Sequence, residues 1–210
     1  MKYQRSEAAL RFIKQKKDSL IVAGIVAVLV VSALLSFNYL REQKQNEARQ
    51  AFGSALSESQ SQDAAMESLR AVAQDYKGSV YATYSLMLLG QNLLGRGEYR
   101  EAVVVFADAL KSKQPAAFVT AQIWESKATA LEFDGSLDEA LTAYQRALRV
   151  PNNLYRKNEI LLKSALLNLR MGQVEQAKRQ FEEIVADSAA NERVLRIARN
   201  EIAALNALGN

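Results

Sequence analysis

Residues 86–110 read LMLLGQNLLGRGEYREAVVVFADAL: two apolar halves of helical spacing around a glycine-rich turn. In the first half Leu86, Leu89-Gly90 and Leu93 fall on one helical face. In the second, Ala102, Phe106 and Ala109-Leu110 do the same. Gly97 suits the end of the first helix, because a helix stop with φ > 0 is open to glycine and resisted by side chains with a Cβ. Ala102, five residues later, fits a point where two helices cross closely and a larger side chain would hold them apart. Phe106 follows four residues on, on the same face, where it can fill the space between the paired helices and whatever packs next.

The pattern recurs twice. Residues 124–148, WESKATALEFDGSLDEALTAYQRAL, carry Trp124, Ala128 and Leu131, then Gly135-Ser136-Leu137, Ala140, Tyr144 and Ala147-Leu148. A third copy carries Leu161 and Ala165, then Gly172-Gln173-Val174, Ala177, Phe181 and Ile184. The turn glycines Gly97, Gly135 and Gly172 are 38 and 37 residues apart, and Ala102, Ala140 and Ala177 keep the same spacing. This resembles the tetratricopeptide repeat, a helix pair of about 34 residues. The resemblance implies an all-α fold, a tetratricopeptide-like α-solenoid. The extra residues imply longer loops near Lys113-Gln114 and Asn152-Asn153. Asn168 departs from the pattern, which has a large residue there. An ordinary amphipathic helical bundle is the plainer alternative, and the in-register glycine, alanine and aromatic positions speak against it.

Outside the three units, residues 41–62 read as a connecting helix. Residues 63–76, with Met66, Leu69, Val72 and Tyr76, read as the second helix of a degenerate first unit, so the repeats are expected over 63–190. Residues 191–210, with Val194, Leu195, Ile197, Ala198, Ile202 and Leu205, read as a terminal helix covering the last apolar face, which a solenoid needs for solubility. Pro115 and Pro151 each follow a second helix, where proline blocks continuation.

The N-terminal segment is of another kind. Ser19–Leu40 has no charged residue in 22 positions, and 13 of them are Leu, Ile, Val or Phe. About 20 such residues in a helix span a hydrocarbon core of about 30 Å, so 19–40 is expected to be a single transmembrane helix. A cleaved signal peptide is the competing reading, with Val31-Ser32-Ala33 as a weak cleavage site. The apolar run continues through Leu34, Leu35 and Phe37 into helical sequence, which suits an uncleaved anchor. Six Lys or Arg precede the span, and Arg41, Lys44 and Arg49 follow it. The excess places the basic tail, 1–18, in the cytosol and the remainder across the membrane, in a bacterium the periplasm.

Those six of 27 basic residues, with two of 23 acidic ones, lie in the first 40 positions, so residues 41–210 balance at 21 of each sign. A neutral body disfavours nucleic-acid binding, which needs clustered Lys and Arg. With no cysteine and no histidine, disulfides, thiolate or imidazole metal sites, and Cys or His catalysis are excluded. Gly95-Arg96-Gly97 lacks the Lys-Ser/Thr of a phosphate loop. The carboxylate pairs Glu98/Glu101, Asp134/Asp138 and Glu182/Glu183 sit at helix starts or polar faces, where the helix dipole accounts for them. No catalytic residue, cofactor or metal site is expected, and the chain does not read as an enzyme.

In stacked helix pairs the first helices line one side. By the repeat pattern that side carries Tyr84, Met87, Gln91 and Leu94, then Gln122, Glu125, Thr129 and Glu132, then Glu159, Leu162, Leu166 and Arg170. This mixture suits extended or unfolded polypeptide, with no cationic clamp expected. The bland alternative is that Leu162 and Leu166 only pack on a neighbouring helix. The layout as a whole resembles the YfgM-like family, an ancillary subunit of the Sec translocon, with local likeness at Ala8-Ala9-Leu10-Arg11-Phe12-Ile13-Lys14 and Ala48-Arg49. That resemblance implies residence in the bacterial inner membrane and partners among translocon subunits, a periplasmic peptidyl-prolyl isomerase chaperone and exported clients. A static scaffold of a secretion or division complex, or an organelle-membrane adaptor in a eukaryote, would share the same plan.

Overall fold

The computed structural model describes residues 17–57, 61–112, 116–151 and 156–208. The basic tail before Lys17, Pro115 and the loops at Lys113-Gln114 and Asn152-Asn153 lie outside the described residues. The described residues are all-α, with no strand among them. The helices are α1 (Lys17–Ser57), α2 (Gln62–Asp75), α3 (Val80–Gly95), α4 (Tyr99–Lys111), α5 (Ala117–Asp134), α6 (Leu137–Leu148), α7 (Lys157–Arg170), α8 (Val174–Ala186) and α9 (Glu192–Leu208). The chain divides into two compact units, Met1–Glu47 and Ala48–Asn210.

In the first unit the apolar part of α1 is exposed along its length. Ile21, Val28, Leu29, Leu35 and Phe37 are each more than half exposed. Among the described residues α1 is the one helix long and apolar enough to cross a membrane. A soluble core helix would bury this surface, so its full exposure sets α1 apart from every other helix here.

The second unit is an array in which each helix from α2 to α9 packs on the next. The first helices of successive pairs also touch, α3 with α5 and α7 with α9. This is the connectivity of a tetratricopeptide-like solenoid. The turns inside the three pairs are built alike. Gly97, Gly135 and Gly172 have φ of 79°, 88° and 77°. Each is followed by an N–H that reaches back to the carbonyl five positions before it: Glu98 to Leu93 at 2.9 Å, Ser136 to Leu131 at 2.9 Å and Gln173 to Asn168 at 2.8 Å. Orphan carbonyls at the helix end are thereby satisfied, and the chain is turned at once into the next helix.

The packing between the paired helices is equally repetitive. Ala102, Ala140 and Ala177 are fully buried, and Phe106, Tyr144 and Phe181 are 0–1% exposed. Each ring is grouped with a small residue of the first helix, Gly90 directly against Phe106, and Ala128 with Tyr144 and Ala165 with Phe181 in shared buried clusters. At Gly90 the approach is tight, since a Cβ built there would lie 2.7 Å from Phe106 Cε1. Each ring contributes about 1.5–3 kcal/mol by burial, and losing the slot would forfeit much of it. Tyr144 differs from the two phenylalanines by a hydroxyl, and its oxygen donates to Glu132 Oε2 at 3.1 Å and lies 3.2 Å from Thr129 Oγ1.

The flanks follow the same logic. Ala55 of α1 packs with Leu69 and Val72 of α2, and Phe52, Tyr76 and Leu88 lean on them. Ser61 and Ser79 cap α2 and α3 by accepting from Ala64 N and Ala82 N. Val194 and Ala198 of α9 are buried in one cluster with Leu161, Leu162, Ala165, Ala177 and Phe181, so α9 closes the apolar end of the last pair. Asn168, the departure from the pattern, is 1% exposed and donates to Gln180 Oε1, while Gln180 Nε2 donates to Ser164 Oγ. A polar trio thus replaces the large side chain in that pair.

Gly90→Ala separates the two demands on this position. In a helix interior the change ordinarily stabilises by about 0.5–1 kcal/mol. Here the added methyl meets the Phe106 ring, and overpacking of roughly 1–3 kcal/mol should win. Thermal unfolding should show a lower Tm. An equal or higher Tm would mean that the α3–α4 crossing has slack.

Candidate protein-binding face

The residues expected to line the first-helix side do not all play one part. On α3, Tyr84, Met87 and Gln91 are half-buried. Tyr84 also closes an aromatic cluster with Phe52 and Tyr81, with ring centroids 5.9–6.2 Å apart. On α5, Gln122 and Thr129 are half-buried, whereas Glu125 is 3% exposed. On α7, Glu159 accepts from Asn191 Nδ2 of the loop before α9 at 2.7 Å. Leu162 is 7% exposed within the core under α9, and Leu166 is 38% exposed. Tyr84, Met87, Gln91 and Gln122 thus keep part of their surface exposed, Tyr84 and Met87 while packing against the core, and Leu166 is the most exposed apolar residue of the set. Glu125 and Leu162 are committed to the fold.

Glu125 is buried beside two cations, Arg156 at the N-cap of α7 and Lys163 within it. Arg156 Nε donates to its Oε2 at 3.0 Å, Arg156 Nη2 to its Oε1 at 2.9 Å, and Lys163 Nζ to its Oε1 at 2.7 Å. One turn pair further along, Arg170 Nη1 donates to Glu132 Oε1 at 3.0 Å. The backbones of α5 and α7 share almost no close contact among the described residues, so charged side chains bridge them where α3 and α5 touch directly. Arg170 is expected on this face from the repeat pattern, and Arg156 and Lys163 join it here through their ion pairs with Glu125. The sequence trace of this row is the seven-residue spacing of Arg156, Lys163 and Arg170, matched by Glu125 and Glu132. Counting charges hid it, because the two signs cancel.

Trp124, next to Glu125 but on another side of α5, has Lys127 Nζ 5.4 Å and the Arg146 guanidinium 5.1 Å from its ring centre. It borders an open cleft of about 430 Å³ between α5 and α6 with Asp138, Glu139 and Thr142. Burial lowers the Lys127 pKa, partly opposed by Glu139. The carboxylate pairs noted in the sequence enter ion pairs instead of converging: Glu98 with Arg96, Glu101 with Arg70, Asp134 with Arg100 and Glu183 with Lys157. No group of three or more potential metal-ligating side chains occurs among the described residues.

Comparison with known proteins agrees with this architecture. The tetratricopeptide repeat-like domain family matches residues 11–120, and a tetratricopeptide repeat matches residues 159–188. No curated protein matches the chain closely enough to count as a relative. Among solved structures, a tetratricopeptide repeat protein from Parabacteroides merdae is similar, with a TM-score of 0.59 at 20% identity over 79% of this chain. This chain spans 61% of that protein's length. MamA is also similar, with a TM-score of 0.53 at 18% identity, over 68% of this chain and 83% of MamA. At such identities the likeness establishes the fold alone.

Depth makes the Glu125 cluster asymmetric. Its carboxylate is 4% exposed, while Arg156 and Lys163 are 39% and 43% exposed. Replacing both cations by Met strands a buried charge, at a cost of about 3–5 kcal/mol. Glu125→Gln leaves two cations that water can reach, at a cost of about 1 kcal/mol. Denaturant unfolding followed by the fluorescence of Trp124, the single tryptophan, should rank them in that order. Equal losses would place Glu125 in solvent.

Proposed function

We propose that this chain, which belongs to the tetratricopeptide repeat-like domain family, is a membrane-tethered protein-binding module that works as a chaperone or adaptor beside the Sec translocon. The observation that carries this reading is the union of two parts on one chain. One is a helix whose apolar span is exposed along its length. The other is a helical repeat array that presents half-buried Tyr84, Met87, Gln91 and Gln122 with Leu166. A bilayer is the surrounding in which the first part is stable, and repeat arrays of the second kind bind other proteins. The N-terminus lies in the cytosol and the array in the periplasm on this reading, supported by the basic excess ahead of the span.

Association with the translocon, with a periplasmic chaperone and with exported clients rests on the resemblance to the YfgM-like family. A tether fits that role physically. It converts encounter with a client leaving the membrane into a local event at raised effective concentration. Adaptable Met, Tyr and Leu side chains suit clients of varied sequence. No step of this role calls for catalysis.

Two measurements test the reading. A photo-crosslinker at Gln91 in native membranes should capture translocon subunits and newly exported polypeptides. Capture of secretion or division proteins alone would replace the chaperone by a scaffold. In spheroplasts, added protease should reach the C-terminal unit, and the protein should resist alkaline extraction from membranes. Release by alkali, or protection from the outside, would overturn the tethered periplasmic arrangement. Gln91→Ala with Gln122→Ala should alter the crosslinked partners at unchanged Tm, because both side chains stand outside the core clusters.

A further inference from the structure

We infer that the seam between α5 and α7 is a binding site for acidic polypeptide in extended form, with carboxylates at every third residue. This rests on the reading that the first-helix face binds protein, and it names the chemistry of what is bound there.

The seam is layered by charge. Glu125 and Glu132 lie beneath, 4% and 25% exposed at the side chain, while Arg156, Lys163 and Arg170 lie above them at 39%, 43% and 52%. Both Glu125 oxygens are occupied by these cations, and Glu132 divides its oxygens between Arg170 and Tyr144. The cations are not used up in return. A guanidinium has five N–H donors and an ammonium three, so each cation keeps donors beyond those the carboxylates take up. Glu159, on the same helix, is turned to Asn191 at the start of α9. A partner approaching the seam therefore meets a positive row, even though the unit as a whole is neutral.

The spacing of the row selects the partner. Arg156 at the N-cap of α7, and Lys163 and Arg170 within it, recur every seven residues, about two turns and about 10.5 Å of helix rise. A polypeptide in the extended polyproline II form has three residues per turn and rises about 3.1 Å per residue, so every third side chain returns to the same face at about 9.3 Å. Carboxylates at that interval can each reach one cation in turn. Clustered carboxylates would crowd on one cation and leave the others unmet. An anionic membrane surface offers charge without this interval, and the two sources separate experimentally.

The full-length chain in neutral detergent micelles would be titrated against fluorescent 12-residue peptides of Ala, Ser and Gly. One peptide carries Glu at every third position, one the same Glu residues in a block, and one Lys in place of Glu. The spaced Glu peptide should bind tightest, the Lys peptide weakest, and higher salt should weaken the first. Arg170→Gln and Lys163→Gln should each weaken the spaced peptide by about 2- to 5-fold, the range for partly exposed ion pairs. Arg170→Gln is the cleaner variant, since Glu125 keeps both its cations, and an unchanged Tm certifies its fold. Equal binding of Glu and Lys peptides, or of spaced and blocked Glu, would overturn the inference. So would an unchanged affinity of Arg170→Gln. Binding to vesicles of anionic phosphatidylglycerol with no binding of the spaced peptide would assign the row to lipid instead. If an unfolded neutral client is still held from aggregation while acidic peptides fail to bind, this inference falls and the protein-binding reading stands.

Discussion

A pair of short helices cannot bury its apolar face alone, and that constraint governs the second unit. Phe106, Tyr144 and Phe181 are fully buried rings, Phe106 set directly against Gly90, and Tyr144 and Phe181 clustered with Ala128 and Ala165, while Ala102, Ala140 and Ala177 share the same clusters. Ring and slot must match in every pair. Where the slot is a glycine, the ring comes close enough that no Cβ fits. The positive-φ turns at Gly97, Gly135 and Gly172 follow from the same demand, because only a turn this abrupt returns the second helix in time to place its ring. The final pair has no following repeat, and α9 supplies the missing surface with Val194 and Ala198.

That repetition explains which features were legible in the sequence. The glycine, alanine and aromatic positions report backbone geometry and close packing, and each demand admits few residue types. The helix pairs and the terminal helix could therefore be placed from spacing alone. The exposed apolar helix was legible for a similar reason, since 22 uncharged positions satisfy one solvent and offend the other. The binding face was less legible. Position in the repeat says which way a side chain points, but not whether a neighbour has already claimed it. Leu162 points toward the first-helix side and is claimed by α9. Glu125 points there too and is claimed by Arg156 and Lys163. Both claims come from residues about 30 to 40 positions away, where local periodicity carries no information. Asn168 breaks the repeat pattern visibly, yet the hydrogen bonds that link it to Gln180 and Gln180 to Ser164 have no trace in that pattern.

The α5–α7 seam also shows how one array can mix two kinds of interface. Successive pairs meet through apolar clusters, here with Ile160 and Leu167 of α7 joining the residues of α6, and such clusters gain from burial and tolerate little movement. At this seam the bridging groups are long, charged and partly hydrated, and each ion pair at such exposure is worth little by itself, about 0–1 kcal/mol. Burying Glu125 would be unfavourable without its three hydrogen bonds, so the carboxylate holds the two cations in place more than it adds to stability. What the arrangement fixes is direction. Cations anchored from beneath by carboxylates are held at set intervals with their remaining donors outward, and less side-chain entropy is lost when a ligand arrives.

Weak contacts of this kind suit the proposed setting. Three partly exposed ion pairs together give at most a few kcal/mol, which corresponds to dissociation constants near the millimolar range. In free solution such a surface would be empty most of the time. A module held at a membrane faces an effective concentration of clients that reaches about the millimolar range for short flexible links, so weak sites can be occupied there. Weakness then becomes useful, because a segment held by separable ion pairs and adaptable Met and Tyr side chains can leave as readily as it arrives. A tighter groove would retain each client, and a dispersed protein with the same groove would capture few.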